Sequence, residues 1–310
     1  MSYLLTNASA LTALQSLTMT QNSLSGVQSE LSTGLAIQHA SDNTSYWSIA
    51  TTMTSDNGAL GAVTSALKTS ASMLSTFTTA LEQTVSVVNN IKNDLVSAQN
   101  PGANLSQIQA DITAQQNSLL QIATGAAFNG QNWLNGTVNG STNAAATGSV
   151  DLVGSYTNSG GAGYISVAAG SVNLFTNGTA ATSVAAASGG ILTAVGGAGS
   201  GAVLGTGAFN VSTSSATTSI QAMLTSVNAT ITSLETAAAT IGAAQEQVTT
   251  QQTFVSAMQS SLTNGVASLV DADMNQVSTR LQALQTQQQL GVQSLSIANQ
   301  SSQMILKLFQ

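Results

Sequence analysis

Few side chains in this sequence are placed where they could do chemistry. Asp271-Ala272-Asp273-Met274-Asn275 spaces its oxygen ligands as the start of an EF-hand calcium loop does. That loop also needs Gly at its sixth position and Glu at its twelfth, where Gln276 and Gln282 stand. The two acids are instead expected at the start of a helix, where the partial positive charge of the free N–H groups favours them. Gly160-Gly161-Ala162-Gly163 and Gly196-Gly197-Ala198-Gly199 echo a calcium β-roll repeat, but Ile165 and Gly201 occupy the places of its ligating Asp. No Gly precedes a Lys, which excludes a P-loop. His39 and Asp42 lie near several serines, yet no strand–turn–helix elbow presents a nucleophile, so His39 is read as a turn residue. With one His and no Cys, a multi-histidine metal site, thiolate catalysis and disulfides are all ruled out within one chain. No cofactor is expected, and the chain is not expected to be an enzyme.

The charge balance removes further classes. Four basic residues face eleven acidic ones, for a net charge of −7, and only 5% of the 310 residues are charged. Soluble proteins usually carry about 25%. Lys68, Lys92, Arg280 and Lys307 are scattered, so neither nucleic acid nor an anionic membrane finds a basic patch. No apolar run is long enough to span a bilayer, and residues 1–15 lack the basic start and unbroken apolar stretch of a secretory signal. Solubility must rest on uncharged Ser, Thr, Asn and Gln.

What remains informative is the spacing of apolar residues. Ala10, Leu17, Leu24 and Leu31 recur every seven residues, with Leu14 and Leu35 placed beside that stripe, predicting a helix over about 5–33 with a narrow seam. Gly34 supplies the stop. A second helix is expected from about Tyr46 to Gln99, ended by Asn100-Pro101-Gly102, and a third from Ser106 to Thr124. After residue 216 the helical pattern returns, with one helix to about Thr263, a break at Asn264-Gly265, and a last helix over about 270–308. There Val270, Val277, Leu284, Ala298 and Ile305 form one stripe and Met274, Leu281, Leu295 and Phe309 another. Between these zones, Val150–Val153, Tyr164–Val167 and Val172–Phe175 read as short strands separated by Gly, Asn and Ser. The fold class is therefore mainly α, with long terminal helices forming a coiled-coil stalk and a small β-rich central insertion. The expected domains are 1–45 with 266–310 (terminal-helix core), 46–175 with 216–265 (helical shell with a β-hairpin), and 176–215 (surface-exposed segment).

Several segments match a known family. Leu31-Ser32-Thr33-Gly34-Leu35 followed by Ala40-Ser41-Asp42-Asn43 resembles the N-terminal signature of bacterial flagellins. Phe128-Asn129-Gly130-Gln131-Asn132-Trp133-Leu134 resembles their "FNG..LL" segment. Val270-Asp271-Ala272-Asp273-Met274, Ser278 to Gln285, and Gly291 to Gln300 resemble the C-terminal signature. Ser45 to Met53 is similar to the alphaproteobacterial branch. The resemblance implies a structural subunit that self-assembles into an extracellular flagellar filament for motility, exported unfolded through a type III channel. It implies other copies of the chain as partners, together with an export chaperone, a filament cap protein and a hook–filament junction protein, and neither nucleic acid nor membrane. Leu17, Leu24, Leu31, Val277, Leu281, Leu284 and Leu295 are the expected self-association residues of the filament core.

The sequence departs from the family at two places. Where flagellins carry Arg residues, it reads Gly34-Leu35-Ala36-Ile37 and Asn90-Ile91-Lys92-Asn93-Asp94-Leu95. Contacts between subunits are therefore expected to be apolar and hydrogen-bonded, with weak salt sensitivity. The alternatives are a hook–filament junction protein, which shares the terminal pattern, and a flagellin-like surface adhesin using residues 136–215. An inserted zinc protease, found in some flagellins, needs two histidines and is excluded here.

Overall fold

The computed structural model describes residues 7–138, 141–142, 148–157, 160–175, 190–193, 203, 210–211 and 217–308, and the side chains of these except at 137, 138, 141, 142, 217 and 301–308. Five helices carry the fold: α1 (Ala8–Thr33), α2 (Thr44–Ala98), α3 (Leu105–Gly125), α4 (Thr217–Val270) and α5 (Met274–Leu308). Between α3 and α4 come the two-residue strands β1 (Thr137–Val138) and β2 (Ser141–Thr142), then β3 (Val150–Thr157) and β4 (Gly161–Val167). The protein is mainly α with a small antiparallel β insertion, as the heptad spacing and the short apolar runs predict.

Two compact units divide the chain: Met1–Asn57 with Ser260–Gln310, and Gly58–Gln259. α2 and α4 each contribute to both units.

In the unit from 58 to 259, heptad spacing becomes burial. On α2, Leu60, Leu67, Leu74, Leu81, Val88 and Leu95 are all buried, and so are Val63, Ser70, Phe77, Thr84, Ile91 and Ala98. Two such stripes, three or four residues apart, make one continuous apolar face. On α4, Ile220, Val227, Leu234, Ile241, Val248 and Val255 repeat the pattern, and α3 adds Ile112, Leu119 and Ala123. The buried hydroxyls need no partner helix. Thr84 donates to the Ala80 carbonyl at 2.8 Å and Thr230 to that of Ser226 at 2.9 Å, so each enters the core already hydrogen-bonded.

The end of α3 is tied into this core by Asn132. Its amide donates to the carbonyls of Ala123 (2.7 Å) and Thr124 (3.2 Å), while its Oδ1 accepts from the N–H groups of Leu134 and Asn135. One side chain therefore serves both the last turn of α3 and the first turn of the 3-10 helix Trp133–Asn135. Trp133 is thereby set against Phe77, ring centroids 5.0 Å apart and planes tilted 39°.

The β insertion differs in part from the strand expectation. β3 and β4 pair antiparallel from Val150↔Val167 to Thr157↔Gly161, with an irregularity between Val153 and Ser155. A Cβ at Gly154 would come within 2.9 Å of Ile165, so glycine lets that bulge close onto the facing strand. Val172–Phe175 is no strand. It follows the 3-10 turn Ala169–Ser171 as irregular chain, and its apolarity serves burial: Leu174 and Phe175 send both their N–H groups to the Leu134 carbonyl. Within 176–215 the described residues divide: Asn210 is exposed, Gly190, Ile191 and Thr193 are part-exposed, and three apolar side chains turn inward. Leu192, Val203 and Val211 are fully buried, with Gln116 donating to the Val203 carbonyl and Val211 N–H donating to Gln109. The remainder of that segment lies outside the described residues.

The other unit is organised by its turns. Asn7 caps α1 by accepting from the Ala10 N–H, and Gly34, at φ 74°, ends it. The chain is then stitched to the end of α4: Ala36 N–H donates to the Val270 carbonyl (2.7 Å) and Ala272 N–H to that of Gly34 (2.8 Å). The expected break at Asn264-Gly265 does not occur. α4 continues to Val270, and Gly265 is where Met53 packs, since a Cβ there would stand 2.5 Å from the Met53 methyl. The turn falls instead at residues 271–273, where Asp273 accepts from the N–H groups of Asn275 and Gln276 and starts α5.

Candidate self-association surface

α1 and α5 pack against each other. They run antiparallel: the Asn7 side chain donates to the Ala298 carbonyl at 3.0 Å, and Leu17 lies at Gly291. On α1 the inward positions are Ala10, Ala13, Leu17, Thr20, Leu24, Val27 and Leu31; on α5 they are Val277, Leu281, Leu284, Gln288, Gly291, Leu295 and Ala298. Each set alternates steps of three and four, the spacing of a coiled-coil seam. Gly291 leaves the hole that Leu17 fills, for a Cβ there would meet the Leu17 Cδ1 at 3.2 Å.

All seven residues expected to mediate self-association (Leu17, Leu24, Leu31, Val277, Leu281, Leu284 and Leu295) lie on this seam. The two helices that carry them pack against each other within one chain. Leu14, placed beside the stripe by spacing, is instead half-exposed, and so is Met274. Phe309 lies outside the described residues, as does the side chain of Ile305.

The seam covers one side of each helix and leaves apolar groups on the other. On α5, Leu290 and Ile297 are 58% and 67% exposed. They are seven residues apart, on the side of the helix away from the seam at about 100° per residue. Leu11, at 71%, and Met19 are the outward counterparts on α1. Spacing could have found the α5 pair, because Ala283, Leu290 and Ile297 form a second heptad row in the sequence. A helix apolar on both sides is built for two neighbours.

These outer faces are chemically quiet. Glu30 is the only charged residue of α1, and Arg280 and Lys307 are the only ones of α5. The exposed Thr12, Thr18, Thr279 and Thr286 donate to the carbonyl four residues back, at 2.8–3.0 Å, so their hydroxyls are already hydrogen-bonded. The exposed Gln, Asn and Ser side chains of both helices are uncharged, so covering this surface desolvates polar groups that can pair with one another but almost no charge.

The turn between α1 and α2 holds the one candidate acid–base pair. Asp42 accepts the N–H groups of Gln38 and His39, each at 2.9 Å, and Asn43 caps α2 through the N–H groups of Ser45 and Tyr46. The backbone bonds from His39 and then Gln38 hold the Asp42 carboxyl below its ordinary value. His39 Nδ1 stays 3.9 Å away and exposed, so the carboxylate organises the loop and does not orient an imidazole toward a nucleophile. Asp271 pairs with Leu35 across an isolated bridge and Asp273 caps α5, which accounts for both acids of the EF-hand-like stretch. Gly160 closes the connection between β3 and β4, and Gly161 (φ 73°) to Gly163 open β4, while Gly196–Gly199 lies outside the described residues. Among the described residues no cluster of three or more His, Cys, Asp or Glu could hold a metal ion, and no helix is long and apolar enough to cross a membrane.

Comparison with known proteins agrees with this architecture. Residues 4–139 match the bacterial flagellin N-terminal helical region, and residues 224–309 match the bacterial flagellin C-terminal helical region. Over the full length of both chains, the protein is 38% identical to flagellin C of Rhizobium meliloti strain 1021 and 40% identical to a flagellin of Brucella melitensis biotype 1. Flagellin A of Rhizobium meliloti is 33% identical, again over the whole of both chains. These organisms are alphaproteobacteria, the branch that Ser45 to Met53 resembles. With both terminal helical regions matched and full-length relatives on either side of 38% identity, the chain belongs to the bacterial flagellins, a family of structural proteins of the flagellar filament.

Proposed function

We propose that this chain is a filament subunit that polymerises head-to-tail through the outward faces of α1 and α5. The observation that carries the reading is the doubly apolar α5: one row pairs with α1, and Leu290 with Ile297 stands uncovered. Burying either side chain fully is worth about 1.5–3 kcal/mol. An open apolar row repeated on every copy meets a different surface of the next copy, and such contacts propagate without closing.

Family membership supports the rest of the reading. The subunit is exported unfolded through a type III channel, a passage suited to a chain with no Cys and a single Pro, and it acts outside the cell. An export chaperone, the filament cap and the hook–filament junction protein are its other partners. The seven seam residues act in assembly indirectly, by holding α1 and α5 in the paired form that presents the outer rows.

Changing Leu290→Ser together with Ile297→Ser tests this. Both positions are exposed in the single chain, so the monomer should melt as before while seeded polymerisation, followed by electron microscopy, is lost. Filaments of normal length and yield from the double variant would overturn the assignment of this face.

A further inference from the structure

We infer that Asn129-Gly130 is a site of spontaneous, structure-selected deamidation, a covalent modification that the folded chain permits there and suppresses at its other described Asn-Gly pairs. The sequence contains six such pairs, at Asn57, Asn129, Asn135, Asn139, Asn177 and Asn264. Asn is among the chemically labile residues. In the reaction the backbone nitrogen of the following residue attacks the Asn Cγ. A C–N bond forms, the amide C–N bond breaks, and the departing nitrogen takes the proton and leaves as ammonia. Water then opens the resulting five-membered imide to Asp or isoaspartate. No oxidant or enzyme is required. The requirements are a backbone N–H not held by a carbonyl, a carboxamide free to turn, and room around the following residue.

Four of the pairs can be judged on those terms. Asn57-Gly58 lies inside α2 and Asn264-Gly265 inside α4, so each glycine N–H belongs to a helical ladder. The Asn57 amide also donates to Thr263, and the Cβ position of Gly265 is filled by Met53. Asn135 is buried, and the Gly136 N–H donates to the Trp133 carbonyl.

Asn129-Gly130 is the contrary case. Both residues are exposed, at φ 50° and 77°, at the tip of a tight turn closed by Phe128 and Gln131, whose N–H groups donate to each other's carbonyls at 2.9 and 3.0 Å. Two consecutive positive φ values make this a type I′ geometry, which Asn-Gly adopts most readily. Among the described residues neither the Asn129 carboxamide nor the Gly130 N–H has a hydrogen-bond partner. No heavy atom lies within 4 Å of the place a Gly130 Cβ would take. The product matters because of where it forms. Phe128, Asn129 and Gln131 line one side of a cavity of about 430 Å³ whose other side includes Asp151. Deamidation adds a second carboxylate to that rim, and the isoaspartyl form lengthens the turn's backbone by one carbon, which breaks the register of its two hydrogen bonds.

The test is peptide mapping of the full chain aged in heavy-oxygen water at mildly alkaline pH, folded and in urea. Oxygen label at each Asn-Gly pair reports ring opening. In the folded chain Asn129 should convert about tenfold or more faster than Asn57, Asn135 and Asn264, because those three react only after local opening. In urea the advantage should vanish. Equal rates at Asn129 and the helical pairs in the folded chain would overturn the inference. So would an Asn129 that converts only in urea.

Discussion

The two compact units use the same alphabet at the same spacing and dispose of it differently. In the unit from Gly58 to Gln259, heptad rows on α2 and α4 face inward on every turn, and Phe77, Trp133, Leu134 and Phe175 close the centre with no exposure. In the unit formed by the two ends, only Val27, Ala50, Val270 and Val277 are buried among the described apolar residues, while Leu11, Leu14, Leu290, Val292 and Ile297 stand half-exposed or more. The first unit buries its heptad rows within the chain, whereas the seam between α1 and α5 covers only one side of each helix. The difference therefore lies in how many neighbours each helix has within the chain. The end unit is a core with one wall missing, and a second copy supplies that wall in our proposal.

The largest expected effect comes from attacking the seam. Leu281→Asp with Leu284→Asp places two carboxylates where α1 should sit, and charge in an apolar contact is strongly unfavourable. Filaments should be absent by electron microscopy and hydrogen exchange should lose protection along α1 and α5, while the amides of 58–259 keep theirs. Loss of protection in both units would erase the distinction drawn between them. Next in size is Trp133→Ala, a cavity in the closed unit, which should cost about 3–5 kcal/mol in denaturant unfolding. A much smaller cost would mean that this core is as tolerant as the open seam.

A subtler probe is Gly291→Leu. Leu17 already fills that hole, so overpacking should destabilise the α1–α5 pair by about 1–3 kcal/mol, with polymerisation slowed and the closed unit's melting unchanged. The smallest effect belongs to Asp42. Its folded carboxyl titrates below the ordinary 3.8, so its contribution to the α1–α2 turn is complete above that value and is lost as pH falls through the depressed one. Carbon-detected NMR of the carboxyl should give a midpoint under 3.8, and Asp42→Asn should raise the acid stability of the turn relative to its own neutral-pH stability.

Much of this architecture is legible in the sequence because heptad spacing survives without charge. Leu67, Leu74 and Leu81 announce α2 as plainly as any salt-bridged helix would. The misreadings have a common physical origin. Asn264-Gly265 carries a turn signal, but the glycine is there for Met53; local propensity is overridden by a tertiary contact. Val172–Phe175 has the apolarity of a strand, yet it is buried irregular chain hydrogen-bonded to Leu134, and composition cannot tell those apart. Leu192, Val203 and Val211 sit in a low-complexity stretch, where composition gives no period from which their burial could be read. As for the candidate site, the row at Leu17, Leu24 and Leu31 is visible from spacing, but whether a seam closes within a chain or between chains is not written in its period. The decisive clue was the second row on α5, which only exposure makes meaningful.

The hydrogen bond from Asn7 to Ala298 spans 291 residues of sequence. It gives the end unit a schedule as well as a shape. Local helices can form as soon as their own residues are available, but the partner of α1 is the last helix of the fold. Contacts of such separation form late and slowly. Throughout synthesis, and throughout any passage in which the N-terminus leads, α1 has no mate. The apolar seam that would otherwise commit the chain to its final form stays unfilled until the final helix arrives, so completion of the subunit is timed by the delivery of its own end.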